Sequence, residues 1–369
     1  MPTFYAASTG GSGSRPGIYH IGISDDLAPP ALSVLSFTAT AAPPAYLVAC
    51  EGKLFVTCLD EAPTLAPLGH FDSSVLEVYQ LTTPLTLLSR LELPGKSYVH
   101  IAVSDDQRFI AAADYANGTL DLIAYRNNQL RLVDSIKHSG HGPHPSRQLG
   151  PHLHYAGFTP DGRYVYGVDL GTDLVRLYSF ANDGLTELVD NNLSVPGMAG
   201  PRHLVFAPDG RFAYLVDELD NTVLVLSYHG GRFEIIQRIS TLPAGLSADV
   251  RANSYAGAIR ISQSGQYLFV SNRVAENSIT YYRVNQHTGW LEPLGTTPTG
   301  AHPRDFNLIN DKYLIVAAMD ANELELLIFD TASERLSPTV RTLPITTPVC
   351  IAIPSRSCTT KAINATPRQ

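Results

Sequence analysis

The chain has 369 residues and a formal net charge of −8, a balance that argues against a nucleic-acid-binding surface. No stretch approaches eighteen apolar residues, which excludes a membrane-spanning helix. Met1-Pro2-Thr3-Phe4 lacks the basic and apolar regions of a secretory leader, so the expected location is the cytoplasm. The 28 Gly, 26 Pro and 18 Tyr suit strands and tight turns, and no amphipathic helical run of useful length interrupts them.

In chain order, residues 3–8, 17–21 and 32–37 read as three strands, and then a repeat begins. Its copies cover residues 47–59, 100–114, 154–168, 201–216, 258–272 and 306–318. The third and fourth copies are clearest, each a short apolar strand, a Pro-Asp-Gly-Arg turn at Asp161-Gly162 or Asp209-Gly210, and a second strand rich in Tyr and Val. The turn markers Gly52, Gln107, Gly162, Gly210, Gly265 and Asp311 are spaced by 55, 55, 48, 55 and 46 residues. A period of about fifty residues built only of strands and turns is that of a β-propeller, each repeat being one four-stranded blade. After the sixth repeat one strand remains, residues 349–353. Joined to the three N-terminal strands it completes a seventh blade and leaves no open sheet edge in the ring. The expected fold is all-β, a single seven-bladed propeller spanning residues 1–355, with a frayed polar tail over 356–369.

Cys50, Cys58, Cys350 and Cys358 have no metal-type spacing and are expected to be reduced thiols, Cys50 and Cys58 being the pair that flanks one hairpin. His138, His141, His144, His152 and His154 fall within seventeen residues of one another. They lie on a Gly- and Pro-rich stretch rather than on a helix or paired strands, so a loop over the tunnel mouth is favoured over a zinc site, with Arg147 as a further anion contact. Trp290, after the turn at Gly289, is read as packing.

Departures from the repeat mark the candidate site. Aligning blades on their turns places His154 and Arg202 at the start of the tunnel-lining strand, with Arg304 at the matching place a repeat set later. The same alignment places Tyr115, Leu170, Glu218 and Arg273 just past the end of the neighbouring strand, at the same rim. Guanidinium groups there form a cradle for phosphate or carboxylate. A His beside a Glu can take a proton from water, and an Arg aimed at a carbonyl stabilises an oxyanion. The expected catalytic set is His154, Glu218, Arg202 and Arg273, and the expected substrate-binding set is His152, Arg304, Arg147 and His203. No cofactor or metal is expected.

The segments Pro151-His152-Leu153-His154, Gly200-Pro201-Arg202-His203, Asp217-Glu218-Leu219, Val270-Ser271-Asn272-Arg273 and Pro303-Arg304-Asp305-Phe306 resemble the lactonase family of seven-bladed propellers. That family includes cycloisomerase-type 6-phosphogluconolactonases and the 3-carboxy-cis,cis-muconate lactonizing enzymes. The resemblance implies a metal-free lactone reaction and a site of one His, two Arg and one Glu, here His154, Arg202, Arg273 and Glu218. The likeness favours hydrolysis of 6-phospho-D-glucono-1,5-lactone in the pentose phosphate pathway. The alternatives are muconate lactonization and a non-catalytic binding platform. The partner is then a small anionic lactone, with no nucleic acid and no membrane, acting on a monomer or weak homo-oligomer. Two departures stand out: Asp217 beside Glu218, expected to push the Glu218 pKa upward, and Gly95-Lys96-Ser97-Tyr98 where the second blade begins.

Overall fold

A computed structural model describes residues 1–11, 13–24, 29–60, 73–182 and 184–358. The strands form seven antiparallel sheets arranged as successive blades. In blades 1 to 6 the innermost strands are Pro44–Cys50, Tyr98–Val103, Leu153–Phe158, Pro201–Phe206, Ser254–Ile261 and Pro303–Ile309. Each pairs with the next strand of its own blade. The seventh blade orders Pro348–Ala352, Thr3–Ser8, Gly17–Ser24 and Ala31–Ala39. Tyr5 pairs with Ala352 and Ala6 with Ile351, so the two ends of the chain close the ring as the repeat count requires. Burial alternates with sheet position: second strands such as Phe109–Asp114 are wholly buried, whereas outer strands such as Arg335–Pro344 are largely exposed.

Apolar side chains of neighbouring blades meet between the sheets. Between blades 3 and 4, Tyr166, Leu204, Phe206, Leu224 and Phe233 share one cluster, and Tyr166 meets Phe206 edge-on at 5.8 Å. Each large side chain buried in this way contributes about 1.5–3 kcal/mol, which makes the blade-to-blade contact the main adhesive of the ring. Trp290 takes no part in this packing. It is 54% exposed, because the Gly289 turn sits at the rim of blade 5.

The cysteines do not follow expectation. Cys50 is bonded to Cys358, while Cys58 and Cys350 are free and buried. Cys50 pairs with Lys53 and Cys58 with Pro44, at opposite ends of their hairpin, so those two thiols cannot meet. Instead the chain beyond the last strand runs back along blade 1. Ser355 donates its N–H to Ala49 O at 3.2 Å and accepts from Glu51 N at 2.9 Å. This brings Cα358 within 5.2 Å of Cα50, inside the range a disulfide spans. Residues 355–358 are therefore anchored, not frayed, and the tail from 359 onward lies outside the described residues. The bond also removes the thiol-based argument for a reducing compartment. Among the described residues no helix is long and apolar enough to cross a membrane.

Candidate active site

The strand ladders carry a feature that places the site. Innermost strands skip one residue of register near their starts: Leu153 pairs with Asp169 and Tyr155 with Val168, leaving His154 as the extra residue. Arg202 is the extra residue between Pro201 and His203, and Arg304 between Pro303 and Asp305. A β-bulge turns its extra side chain away from the regular alternation. In three blades it delivers a His or an Arg to the same mouth of the tunnel. In blade 5 the matching position is Gly257, within the register shift between Ala256 and Ile259. A Cβ there would lie 2.6 Å from Ser271 Oγ and 2.9 Å from Arg273 Nε, so the missing side chain is what admits Arg273.

Tyr115, Leu170 and Glu218 directly follow second strands that end at Asp114, Asp169 and Asp217, whereas Arg273, expected just past its strand, lies within Tyr267–Val274 and pairs with Tyr255. The residue before three of them is a buried Asp that fixes the local turn. Asp169 Oδ1 accepts from His152 N at 2.8 Å and from Gly171 N at 3.0 Å, and Asp114 Oδ1 accepts from Ser97 N at 3.2 Å. Asp217 Oδ2 accepts from Thr222 Oγ1 at 3.1 Å. The His-rich loop folds over this mouth because Gln148, fully buried, donates to Asp173 Oδ1 at 2.7 Å and to Leu170 O at 2.8 Å. That anchor sets the neighbouring Arg147 above the rim.

Glu218 is the centre of the charge cluster. Its Oε1 takes a hydrogen bond from Arg147 Nη2 at 2.5 Å. Its Oε2 takes one from Arg202 Nε at 2.9 Å and another from Arg273 Nη2 at 2.9 Å. Burial alone would raise the Glu218 pKa, but Arg147, Arg273 and Arg202 outweigh it and hold the carboxyl well below its usual range. The expected upward push by Asp217 does not occur. Asp217 itself is raised, by burial and then by Asp220, and its turn contact aims it at Thr222. Glu218 was expected to sit beside His154 and favour its charged form; both its oxygens are instead engaged by arginines.

His154 and Glu218 feel each other's charge but share no hydrogen bond or ion pair among the described residues. The His154 ring lies edge-on to Tyr115 at 5.5 Å and 5.2 Å from His203, and its Nδ1 is buried without a hydrogen-bond partner among the described residues. Burial, then the charge of Arg202, holds its pKa well below the ordinary imidazole value. The ring is neutral at pH 7; Glu218 does favour the charged ring, as expected of a carboxylate neighbour, but burial and the arginines outweigh it. Arg304 makes no hydrogen bond or ion pair among the described residues, and burial together with Arg273 lowers it to about 10. Arg202 is lowered to about 9 by burial and Arg273, with Glu218 opposing.

The other predicted binding residues separate. Arg147 joins the cluster through Glu218. His203 lies deeper and meets Arg202 Nη1 at 2.9 Å through Nε2. His152 stacks on Tyr115 at 4.7 Å and bonds Tyr115 O at 3.1 Å, so it supports the rim from behind. His138 is buried between Asp169 Oδ2, at 2.7 Å, and Tyr178 Oη, at 2.8 Å. No group of three or more His, Cys, Asp or Glu among the described residues could hold a metal ion. Further along the tunnel His100 stacks on Tyr155 and meets Tyr46 at a tilt, and these three rings help to line a cavity of about 310 Å³.

Sequence reasoning missed three features of this mouth. Tyr115 was aligned to the rim but given no role, yet it packs against both His152 and His154. Gly257 contributes by having no side chain. His302, at the entrance to blade 6, is 1% exposed, bonds Asp320 Oδ2 at 3.2 Å through Nδ1, and has a buried, unpartnered Nε2.

A seven-bladed propeller with a mouth lined by Arg147, Arg202, Arg273 and Arg304 defines the class. The sequence matches the family described as "Lactonase, 7-bladed beta-propeller" over residues 4–353, and the chain belongs to that family. It is 32% identical over 345 residues to the 6-phosphogluconolactonase of Bacillus subtilis, covering 92% of this chain and 95% of the relative. It is 36% identical over 312 residues to an uncharacterized protein of Lactococcus lactis, covering 83% and 86%. Among solved structures, a putative 6-phosphogluconolactonase from Bacteroides fragilis superimposes with a TM-score of 0.83 at 27% identity, covering 95% of this chain and 97% of that one. The periplasmic gluconolactonase of Pseudomonas aeruginosa gives 0.84 at 25% identity, covering 95% and 98%.

Proposed function

We propose that the chain hydrolyses 6-phospho-D-glucono-1,5-lactone to 6-phosphogluconate at the His154–Arg202–Arg273–Arg304 mouth. The observation that carries this reading is the concentration of unsatisfied donors and acceptors there. Arg147 Nε, His154 Nδ1, Arg273 Nε and His302 Nε2 are buried without partners among the described residues. Buried polar atoms are ordinarily paired, so a cluster of orphans at one tunnel mouth is what a polar ligand would complete. A relative named 6-phosphogluconolactonase and a likeness to a gluconolactonase support the choice of reaction.

In this reading Arg304, which has no ion pair among the described residues, holds the phosphate. Neutral His154 takes a proton from water as the water oxygen attacks C1. Arg202 and Arg273, kept in place by Glu218, face the carbonyl oxygen as it becomes an oxyanion. The C1–ring oxygen bond then breaks, and the imidazolium returns its proton to that oxygen, leaving a free hydroxyl and a carboxylic acid that releases its remaining proton to solvent as the carboxylate forms. The same arginine field that keeps His154 neutral also weakens it as a base, and the negative charge of the bound phosphate opposes that field. Substrate charge thus raises the basicity of the residue that activates the attacking water.

His154→Ala should lower the enzyme-dependent rate by about a hundred- to ten-thousandfold, with exhaustive chelation leaving the wild-type rate unchanged. A variant as fast as wild type would remove His154 from the reaction. A chelation loss restored by one divalent ion would replace this mechanism by metal catalysis.

A further inference from the structure

The mechanism above leaves His302 unused, although it is only 1% exposed. It precedes Pro303 and the bulged Arg304, so the bend that launches blade 6 positions both side chains. Its backbone is in the left-handed region, φ 56°, which a non-glycine residue adopts seldom and His more readily than most. Three contacts hold it there. His302 N donates to Asn277 Oδ1 at 2.8 Å, His302 O accepts from Met319 N at 2.9 Å, and Nδ1 meets Asp320 Oδ2 at 3.2 Å.

A carboxylate can only accept, so its contact places the ring proton on Nδ1 and leaves a lone pair on Nε2. Burial first, then Arg273, Arg304 and Arg202, lower the His302 pKa to about 3, so the ring stays neutral. The result is a buried acceptor with no donor assigned to it, in a mouth otherwise dominated by guanidinium donors.

Resting on the lactonase reading, we propose that His302, oriented by Asp320, accepts a hydrogen bond from a free hydroxyl of the bound lactone and so selects hydroxylated lactones over those bearing only carboxylates. An isolated acceptor has no use for a muconate-derived lactone, whose polar groups are carboxylates and which would bring a second acceptor to Nε2. A sugar lactone offers hydroxyl donors. Sites built to pair a substrate hydroxyl reject analogues without one far more strongly than apolar pockets sort by size. His302 is thus the specificity residue, and Asp320 acts through it as a positioning residue.

The test compares kcat/KM for glucono-1,5-lactone with that for unsubstituted δ-valerolactone, which match in ring size and lack of phosphate. The proteins are wild type, His302→Asn, His302→Gln and Asp320→Asn, each first checked for a native circular dichroism spectrum. Asn tolerates the left-handed backbone, and Asp320→Asn preserves volume while its amide can donate to Nδ1 as well as accept from it, so the proton is no longer fixed on Nδ1. The expected result is a wild-type preference for the hydroxylated lactone of about a hundredfold or more. It should fall at least tenfold in His302→Asn and Asp320→Asn and be partly kept in His302→Gln, whose amide oxygen still accepts. An unchanged preference in folded His302→Asn and Asp320→Asn overturns this proposal alone. A wild-type protein that opens neither of these lactones nor the phosphorylated one overturns the lactonase reading and this inference with it.

Discussion

Replacing Glu218 by Gln removes one negative charge from between three guanidiniums while changing almost no volume. Two of those partners, Arg202 and Arg273, are 4% and 6% exposed at their side chains, and Arg147 is 21% exposed. Breaking a buried ion pair by removing one partner costs about 3–5 kcal/mol, because the remaining charge is left uncompensated. Arg147 can turn toward solvent, so Arg202 and Arg273 set the magnitude, and the expected loss for Glu218→Gln is about 3–5 kcal/mol. At about 2 °C per kcal/mol for a chain of this size, Tm should drop by roughly 6–10 °C.

The pH dependence has a definite sign. The folded pKa of Glu218 lies below its unfolded value of 4.5, so its contribution is fully present above about pH 4.5. It is lost as the pH falls through the depressed folded value, and the gap between wild type and variant should close in acid. Sulfate should raise the variant's midpoint more than the wild type's, since an anion returns the missing charge. Urea unfolding at pH 7 and at pH 3, with and without sulfate, measures all of this. A loss below about 1 kcal/mol at pH 7 would refute the idea that Glu218 organises the arginines.

Gly257→Ala places a methyl group against Ser271 Oγ and Arg273; it should displace the Arg273 side chain and lower lactone-opening activity at least tenfold, while a native circular dichroism spectrum shows the ring intact. Full activity would mean that Arg273 has no defined place in the reaction. Three other imidazoles bear on stability. His100, His154 and His203 are all held well below 6.5, by burial first and then by arginines. The unfolded chain therefore binds protons that the folded chain does not as the pH falls below about 6.5, and stability declines. The slope approaches roughly 1.4 kcal/mol per pH unit for each such group, measurable by denaturant titration between pH 7 and 5. A flat profile across that window would show that these rings titrate normally.

The blade count and the rim were legible because both depend on periodicity. Hairpin turns recur at about fifty residues, and one position counted from each turn always faces the same mouth, so Arg202, Glu218, Arg273 and His154 could be brought together on paper. What failed depends on contacts between blades or on irregular backbone. The bulge at His154, Arg202 and Arg304 is invisible in the repeat, and Gly257 matters through a side chain it lacks. Asp320 reaches His302 across eighteen residues with no spacing signal. Glu218 was read as the partner of His154 because nothing in one dimension shows three guanidiniums converging on a single carboxylate. Cys358 meets Cys50 because the chain doubles back over blade 1, at a sequence separation of 308. That distance hides the pairing from any local reading.

The central claim is an anion-holding lactonase mouth, and substrate charge tests it most directly. Rates of ring opening, corrected for spontaneous hydrolysis, should be compared for 6-phospho-D-glucono-1,5-lactone and glucono-1,5-lactone with wild type and Arg304→Met. Charge-assisted contacts contribute roughly 1.5–3 kcal/mol each, so the phosphorylated lactone should be favoured by on the order of a hundredfold or more, and Arg304→Met should erase much of that preference. Equal enzyme-dependent rates on the two lactones, or no excess over spontaneous opening on either, would contradict it.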